Sequence, residues 1–155
     1  WDANMDMLSP TSGLDLRDES WPIYARSVNA PPTFVGHNAR MSHCAINRGS
    51  VIEGTVENSV LSPSVVVGEG ARVSYSVVLP GTVVEPGAVV EYAIVAENAV
   101  IGEGAVVGAR PETVENLKDW GVAVVASGVH VGAECVVPAK AMIDTDMEKA
   151  GVLHA

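Results

Sequence analysis

The sequence predicts an all-β fold, a three-sided parallel solenoid, and three observations predict it. The first is a fixed period. Val67–Ala71 (VGEGA), Val84–Ala88 (VEPGA) and Ile101–Ala105 (IGEGA) recur 17 residues apart, and the segments opened by Val56, Val73 and Val90 and by Leu61, Val78 and Val95 keep that spacing. A short internal period is the signature of a solenoid. The second is that each 17-residue unit divides into steps of five, six and six residues, each opened by an aliphatic residue, so one coil has three short sides. The third is that Gly70, Gly81, Gly87, Asn98 and Gly104 stand just before a small residue on the six-residue sides. A sharp corner there calls for a positive φ, which glycine and asparagine adopt at low cost. The five-residue side lacks that extra corner residue, hence 17 residues rather than 18.

Coils stacked at the spacing of hydrogen-bonded strands, about 4.8 Å, turn each side into a parallel sheet. The Val, Ile and Leu columns then fill the prism. Buried apolar area stabilises such a stack by roughly 25 cal/mol per Å², and each coil depends on its neighbours. The composition agrees, because the chain has one Phe and Val dominates its apolar residues. A narrow prism is filled by β-branched side chains.

The elements follow in order. Trp1–Leu8 (WDANMDML) reads as the end of a helix with Asp2 as its cap and Met5 and Leu8 on one face. Ser9–Gly13 is loop by composition. Pro22 argues against a helix within Leu14–Tyr24, and Pro31 and Pro32 force an extended approach to Val35. Residues 1–34 are read as an interdomain linker remnant, and the solenoid is expected over 35–143. Its first coil, from Met41 through Ile46 and Ile52 to Val56, is short by two residues at Glu53–Gly54–Thr55. After Val107 the register fails and resumes at Trp120, so 108–119 is read as an insertion with a short helical piece at Glu112–Lys118. Val137–Ile143 starts a final side. Residues 144–155 form a C-terminal cap, with a small helix over Asp144–Gly151 covering the open sheet edges.

Composition excludes several functions. Lys and Arg number 9 against 19 Asp and Glu, a net charge of −10, which disfavours nucleic acid and anionic membrane surfaces. No apolar run approaches the ~20 residues of a membrane helix, and no secretory signal is visible. Cys44 and Cys135 take positions of the small inward residue and read as core fillers, which fits a cytoplasmic setting. Trp1 is no translation start, so the chain is expected to be a piece of a longer protein.

The repeats resemble the hexapeptide-repeat, left-handed parallel β-helix proteins. Handedness follows from that resemblance alone, because crossovers are otherwise right-handed. More specifically, WDANMDML, then LDLRDESWPIY (Leu14–Tyr24), APPTFVG (Ala30–Gly36) and INRGSVIEGTVENSVL (Ile46–Leu61) look like the carboxyl-terminal part of bacterial ADP-glucose pyrophosphorylase, glucose-1-phosphate adenylyltransferase. That resemblance implies an oligomerisation and allosteric domain in glycogen biosynthesis. The adenylyl transfer from ATP to glucose 1-phosphate, with Mg²⁺, belongs to a catalytic domain absent from this chain. It also implies docking on that domain, a homo- or hetero-oligomer that is a tetramer in the intact enzyme, and a small anionic effector. No residue here takes a catalytic role, no cofactor or metal is expected on the chain, and the chain alone is expected to be inactive.

Arginines can grip an anion bidentately. Arg40 and Arg48, with Arg26 and Arg72 nearby in sequence, are basic positions in the linker and early coils. With Pro32 and Phe34 they are the candidate effector or interdomain residues. Their plainer reading is as solvated corner residues. Some members of the resembled family carry arginines where this chain has VEYAIV (Val90–Val95), which argues against a strong phosphosugar response. Two alternatives remain open: a hexapeptide acyltransferase with a histidine base, and a non-catalytic regulatory subunit of the same pyrophosphorylase. His37 and His43 fall on adjacent sides, and His130 and His154 lie far from both, so surface or corner histidines are expected rather than a base or a zinc site. Glu53, Glu57, Glu69, Glu85, Glu91, Glu97 and Glu103 read as a solvated face.

Overall fold

A computed structural model describes residues 1–9, 11–13, 18–22 and 29–148. Three six-stranded, all-parallel sheets form the faces of a prism about six coils long, the architecture of a left-handed hexapeptide β-helix. The first face takes Phe34–Val35, Val51–Ile52, Val66–Val67, Val83–Val84, Val100–Ile101 and His130–Val131. The second takes Arg40–Ser42, Thr55–Glu57, Arg72–Ser74, Val89–Glu91, Val106–Val107 and Val136–Val137. The third takes Ala45–Ile46, Val60–Leu61, Val77–Val78, Ala93–Val95, Ala123–Val125 and Met142–Ile143.

The period-two alternation of a strand sends one residue of each pair inward. Val67, Val84 and Ile101 lie in register above one another, as do Val56, Val73, Val90 and Val107 and Leu61, Val78, Val95 and Val125. All of these are fully buried. The small residues Ala71, Ala88, Ala105, Ser59, Ser76 and Ala93 are buried with them. The two serines form a ladder: Ser59 Oγ accepts from Ser76 N at 3.1 Å, Ser76 Oγ accepts from Ala93 N at 3.1 Å, and each hydroxyl donates to a carbonyl two residues back. That satisfies their polarity inside the prism.

The corner glycines behave as expected, with Gly70, Gly81, Gly87 and Gly104 at φ 66–71° and Asn98 at 56°. The five-residue corner does not. It still uses one left-handed residue per coil, His43, Asn58, Tyr75 and Tyr92 at φ 45–50°, so the corner is tight rather than plain. The shortened first coil is also as expected, Met41 pairing with Val56 and Ile46 with Leu61. Its corner depends on Gly54, where a Cβ would stand 2.3 Å from Ala71 O and 2.6 Å from Gly68 O.

Elsewhere the structure corrects the sequence reading. The N-terminal helix is Asp2–Asp6, with Trp1 at its cap position and no side-chain cap bond. Asp2 is therefore its first helical residue. Trp120 does not reopen an aliphatic column, because Val107 already fills that slot above Val90. The register resumes at Ala123, which pairs with Ala93. Within the insertion the helical piece is a single 3-10 turn at Pro111–Thr113, not Glu112–Lys118. No helix occurs over Asp144–Glu148, where Met147 instead bridges Val131 in parallel and extends the first face. The remainder of the expected cap, like most of Leu14–Tyr24, lies outside the described residues.

Candidate functional site

The first coil is the least covered. Phe34, Val35 and Met41 are 57, 44 and 45% exposed, although Val35 and Met41 head inward columns. The approach segment lies along the neighbouring corner: Gly49 N donates to Pro31 O at 2.8 Å, Thr33 Oγ1 to Asn47 O at 2.9 Å and Phe34 N to Ser50 O at 2.9 Å. Pro32 and Phe34 thus run beside the turn that carries Arg48. Arg40 is elsewhere, facing outward from the second face, so Arg40 and Arg48 are not brought together. The repeat pairs Arg40 with Thr55 and Thr55 with Arg72 instead, one outward column with the two arginines two rungs apart. Arg26 lies outside the described residues.

A second site gathers at the five-residue corner. A left-handed φ costs an ordinary L-residue about 1–2 kcal/mol and is more common for Asn and His than for an aromatic. His43 and Asn58 suit it, and His43 Nδ1 lies 2.8 Å from Asn58 Oδ1. The next two rungs are tyrosines. Their rings stack with centroids 4.7 Å apart and an interplanar angle of 4°. Trp1 lies over Tyr92 at 5.9 Å and its Nε1 donates to Tyr75 O at 2.7 Å. Trp120 meets Tyr92 edge-on at 5.4 Å and 78°, and its Nε1 donates to Ala109 O at 2.8 Å.

The insertion is tied to the same corner by charge. Arg110 Nε donates to Glu91 Oε1 at 3.0 Å, and Ser74 Oγ donates to that oxygen at 3.4 Å. Gly108 opens the insertion at φ 80°, and a Cβ there would fall 1.9 Å from Glu91 O. The hydrogen bond to Glu91 and its negative charge push the Arg110 guanidinium up. Burial pushes the Tyr92 phenol up, reinforced by the neighbouring Tyr75 and Glu112. The ionisable members are two phenols and one closed ion pair, an arrangement suited to holding chain segments rather than to bond-making. Sequence reasoning missed this cluster, although the 17-residue spacing of Tyr75 and Tyr92 was a usable signal.

His37 lines a notch of about 140 Å³ at the shortened corner with Gly36, Asn38, Glu53 and Glu69. His43 and His130 are exposed on a corner and a face, and His154 lies outside the described residues. Cys135 is buried in the core and Cys44 half-buried against it, its thiol pushed up by burial. Among the described residues no group of three or more His, Cys, Asp or Glu side chains could hold a metal ion, and no helix is long and apolar enough to cross a membrane.

A prism of parallel sheets built on repeated five- and six-residue steps defines a hexapeptide-repeat β-helix protein. Residues 30–120 match the family GlmU-like, C-terminal hexapeptide, and the chain belongs to it. Curated relatives include glucose-1-phosphate adenylyltransferase of Bacillus cereus (strain Q1), 45% identical over 84 residues, 54% of this chain and 22% of the relative. The Bacillus cytotoxicus protein of the same name is 46% identical over 81 residues, 52% of this chain and 22% of its own length. The matched segment thus covers about a fifth of these relatives. Among solved structures, the acetyltransferase domain of PglB from Neisseria gonorrhoeae FA1090 superposes with a TM-score of 0.37 at 23% identity, covering 79% of this chain and 54% of that one.

Proposed function

We propose that this chain is the C-terminal oligomerisation and allosteric domain of a glucose-1-phosphate adenylyltransferase, the cytoplasmic enzyme that makes ADP-glucose from ATP and glucose 1-phosphate for glycogen synthesis. One observation carries the reading: identity of 44–46% to adenylyltransferases over a segment that is 22% of their length. Adenylyl transfer and its Mg²⁺ belong to the remainder of such a protein. This chain supplies a rigid prism, an exposed first coil on which a catalytic domain docks, and outward faces that meet other subunits of a tetramer. Pro32, Phe34 and Arg48 border that docking edge. Arg40, with Arg72 on the same column, offers cationic groups to a small anionic effector.

The test has two arms. The purified chain with ATP, Mg²⁺ and glucose 1-phosphate is expected to form no ADP-glucose, and measurable turnover would overturn the assignment of catalysis elsewhere. In the full-length protein, Arg40→Ala or Arg48→Ala is expected to weaken the response to a phosphorylated effector while leaving unstimulated turnover near wild type. An unaltered response in both variants would remove these residues from effector binding.

A further inference from the structure

Trp1 reaches the five-residue corner from the helix at Asp2–Asp6, and Trp120 reaches it from the far end of the insertion. The ring they share is Tyr92. Closing the coil does not require that ring. The bonds of the rung are backbone bonds, Tyr92 N to Ser74 O and Ala123 N to Tyr92 O, each 3.1 Å, and any residue tolerating a left-handed φ could make them. Asn58 fills the equivalent rung at φ 45° at lower conformational cost. An aromatic held at φ 48° between two tryptophans, on a second stacked tyrosine, is backbone strain retained for the sake of the side chain.

We infer that Tyr92, seated on Tyr75, is a coupling residue that locks the N-terminal helix and the 108–122 insertion into one arrangement, so that displacing either loosens the other. Trp1 and Trp120 each gain from a ring that the other holds in place. The ion pair of Arg110 with Glu91, the residue beside Tyr92, adds a second tie on the insertion side. Coupling of this kind is reciprocal: whatever binds or moves the insertion is felt at the helix, and the reverse. The inference does not depend on the adenylyltransferase reading.

Native-state tryptic cleavage of the 155-residue chain after Lys118, an exposed site within the insertion, tests it. When opening is fast, such cleavage follows the population of the opened form. Trp1→Ala is expected to speed cleavage at Lys118 by about two- to tenfold, the scale of one lost aromatic pair, and Trp1→Phe by less. Tyr92→Asn, which keeps the left-handed backbone, is expected to speed it at least as much and to make a further Trp1→Ala substitution silent. Wild-type cleavage at Lys118 in Trp1→Ala would overturn the proposal. So would effects of Trp1→Ala and Tyr92→Asn that simply multiply, or equal acceleration at Arg72 in a regular strand, which would mean loosening of the whole prism.

Discussion

The rings of Tyr75 and Tyr92 lie 4.7 Å apart and within 4° of parallel, one coil above the next. A parallel β-helix sets equivalent residues about 4.8 Å apart, close to the separation that offset aromatic pairs prefer. Stacking is therefore a consequence of placing the same residue on consecutive rungs. Tyr75→Ala is expected to cost about 1–3 kcal/mol, the pair term plus the lost burial, while Tyr75→Phe keeps the stack and stays within about 0.5 kcal/mol. Urea denaturation distinguishes them, and equal losses would show that the ring contact contributes little.

The inward columns differ along the prism in how much they contribute. Ile101 is fully buried between Val84 and Val131, whereas Met41 heads its column and is 45% exposed. Ile101→Ala is expected to cost about 2–5 kcal/mol, transfer plus cavity, and Met41→Ala about 1 kcal/mol or less, since nearly half of its surface already meets water. Denaturant midpoints with an unchanged slope would report both. A loss at Met41 as large as at Ile101 would mean that something covers the first coil in solution.

The columns were legible because burial repeats with the period: Val67, Val84 and Ile101 stand in one line of sequence and one line of space. The glycine corners were legible for the same reason. What escaped was set by packing between non-repeating parts. Trp120 fits the spacing of a column opener, but Val107 fills that slot, and the indole turns outward to Tyr92 instead. Asn58, Tyr75 and Tyr92 gave no glycine to announce a left-handed corner. Arg40 and Arg48 are close in sequence and separated in space, because eight residues carry the chain around a corner onto another side. The period that brings Arg40 into line with Arg72 was already present in the sequence.

The shortened corner makes Gly54 a test of close approach. A Cβ there would meet two backbone oxygens, at 2.3 and 2.6 Å, and neither can yield without moving the next coil. Gly128, at φ 72°, has nothing within 4 Å of its would-be Cβ, so alanine there meets only the left-handed penalty. Gly54→Ala is expected to cost at least about 2 kcal/mol and Gly128→Ala about 1–2 kcal/mol. Thermal melts of the two variants would rank them, and a Gly54→Ala protein as stable as wild type would show that the corner can open.

Alkaline pH reaches the aromatic corner through one phenol. Burial raises Tyr92 above its ordinary value of 10.0, Tyr75, Glu112 and Glu91 add to the rise, and Arg110 opposes it. The folded chain therefore holds this proton more tightly than the unfolded chain. The stability this represents is fully present below about pH 10, where both states keep the phenol neutral, and it is lost as pH climbs from there through the folded-state value, because the unfolded chain ionises first. Wild type is then expected to lose stability above pH 10 more steeply than Tyr92→Phe, with a constant difference between the two below that pH. Urea midpoints across the range, read beside tyrosinate absorbance, measure it. Parallel curves for the two proteins throughout would place the alkaline sensitivity elsewhere and leave the Tyr92 hydroxyl without a part in it.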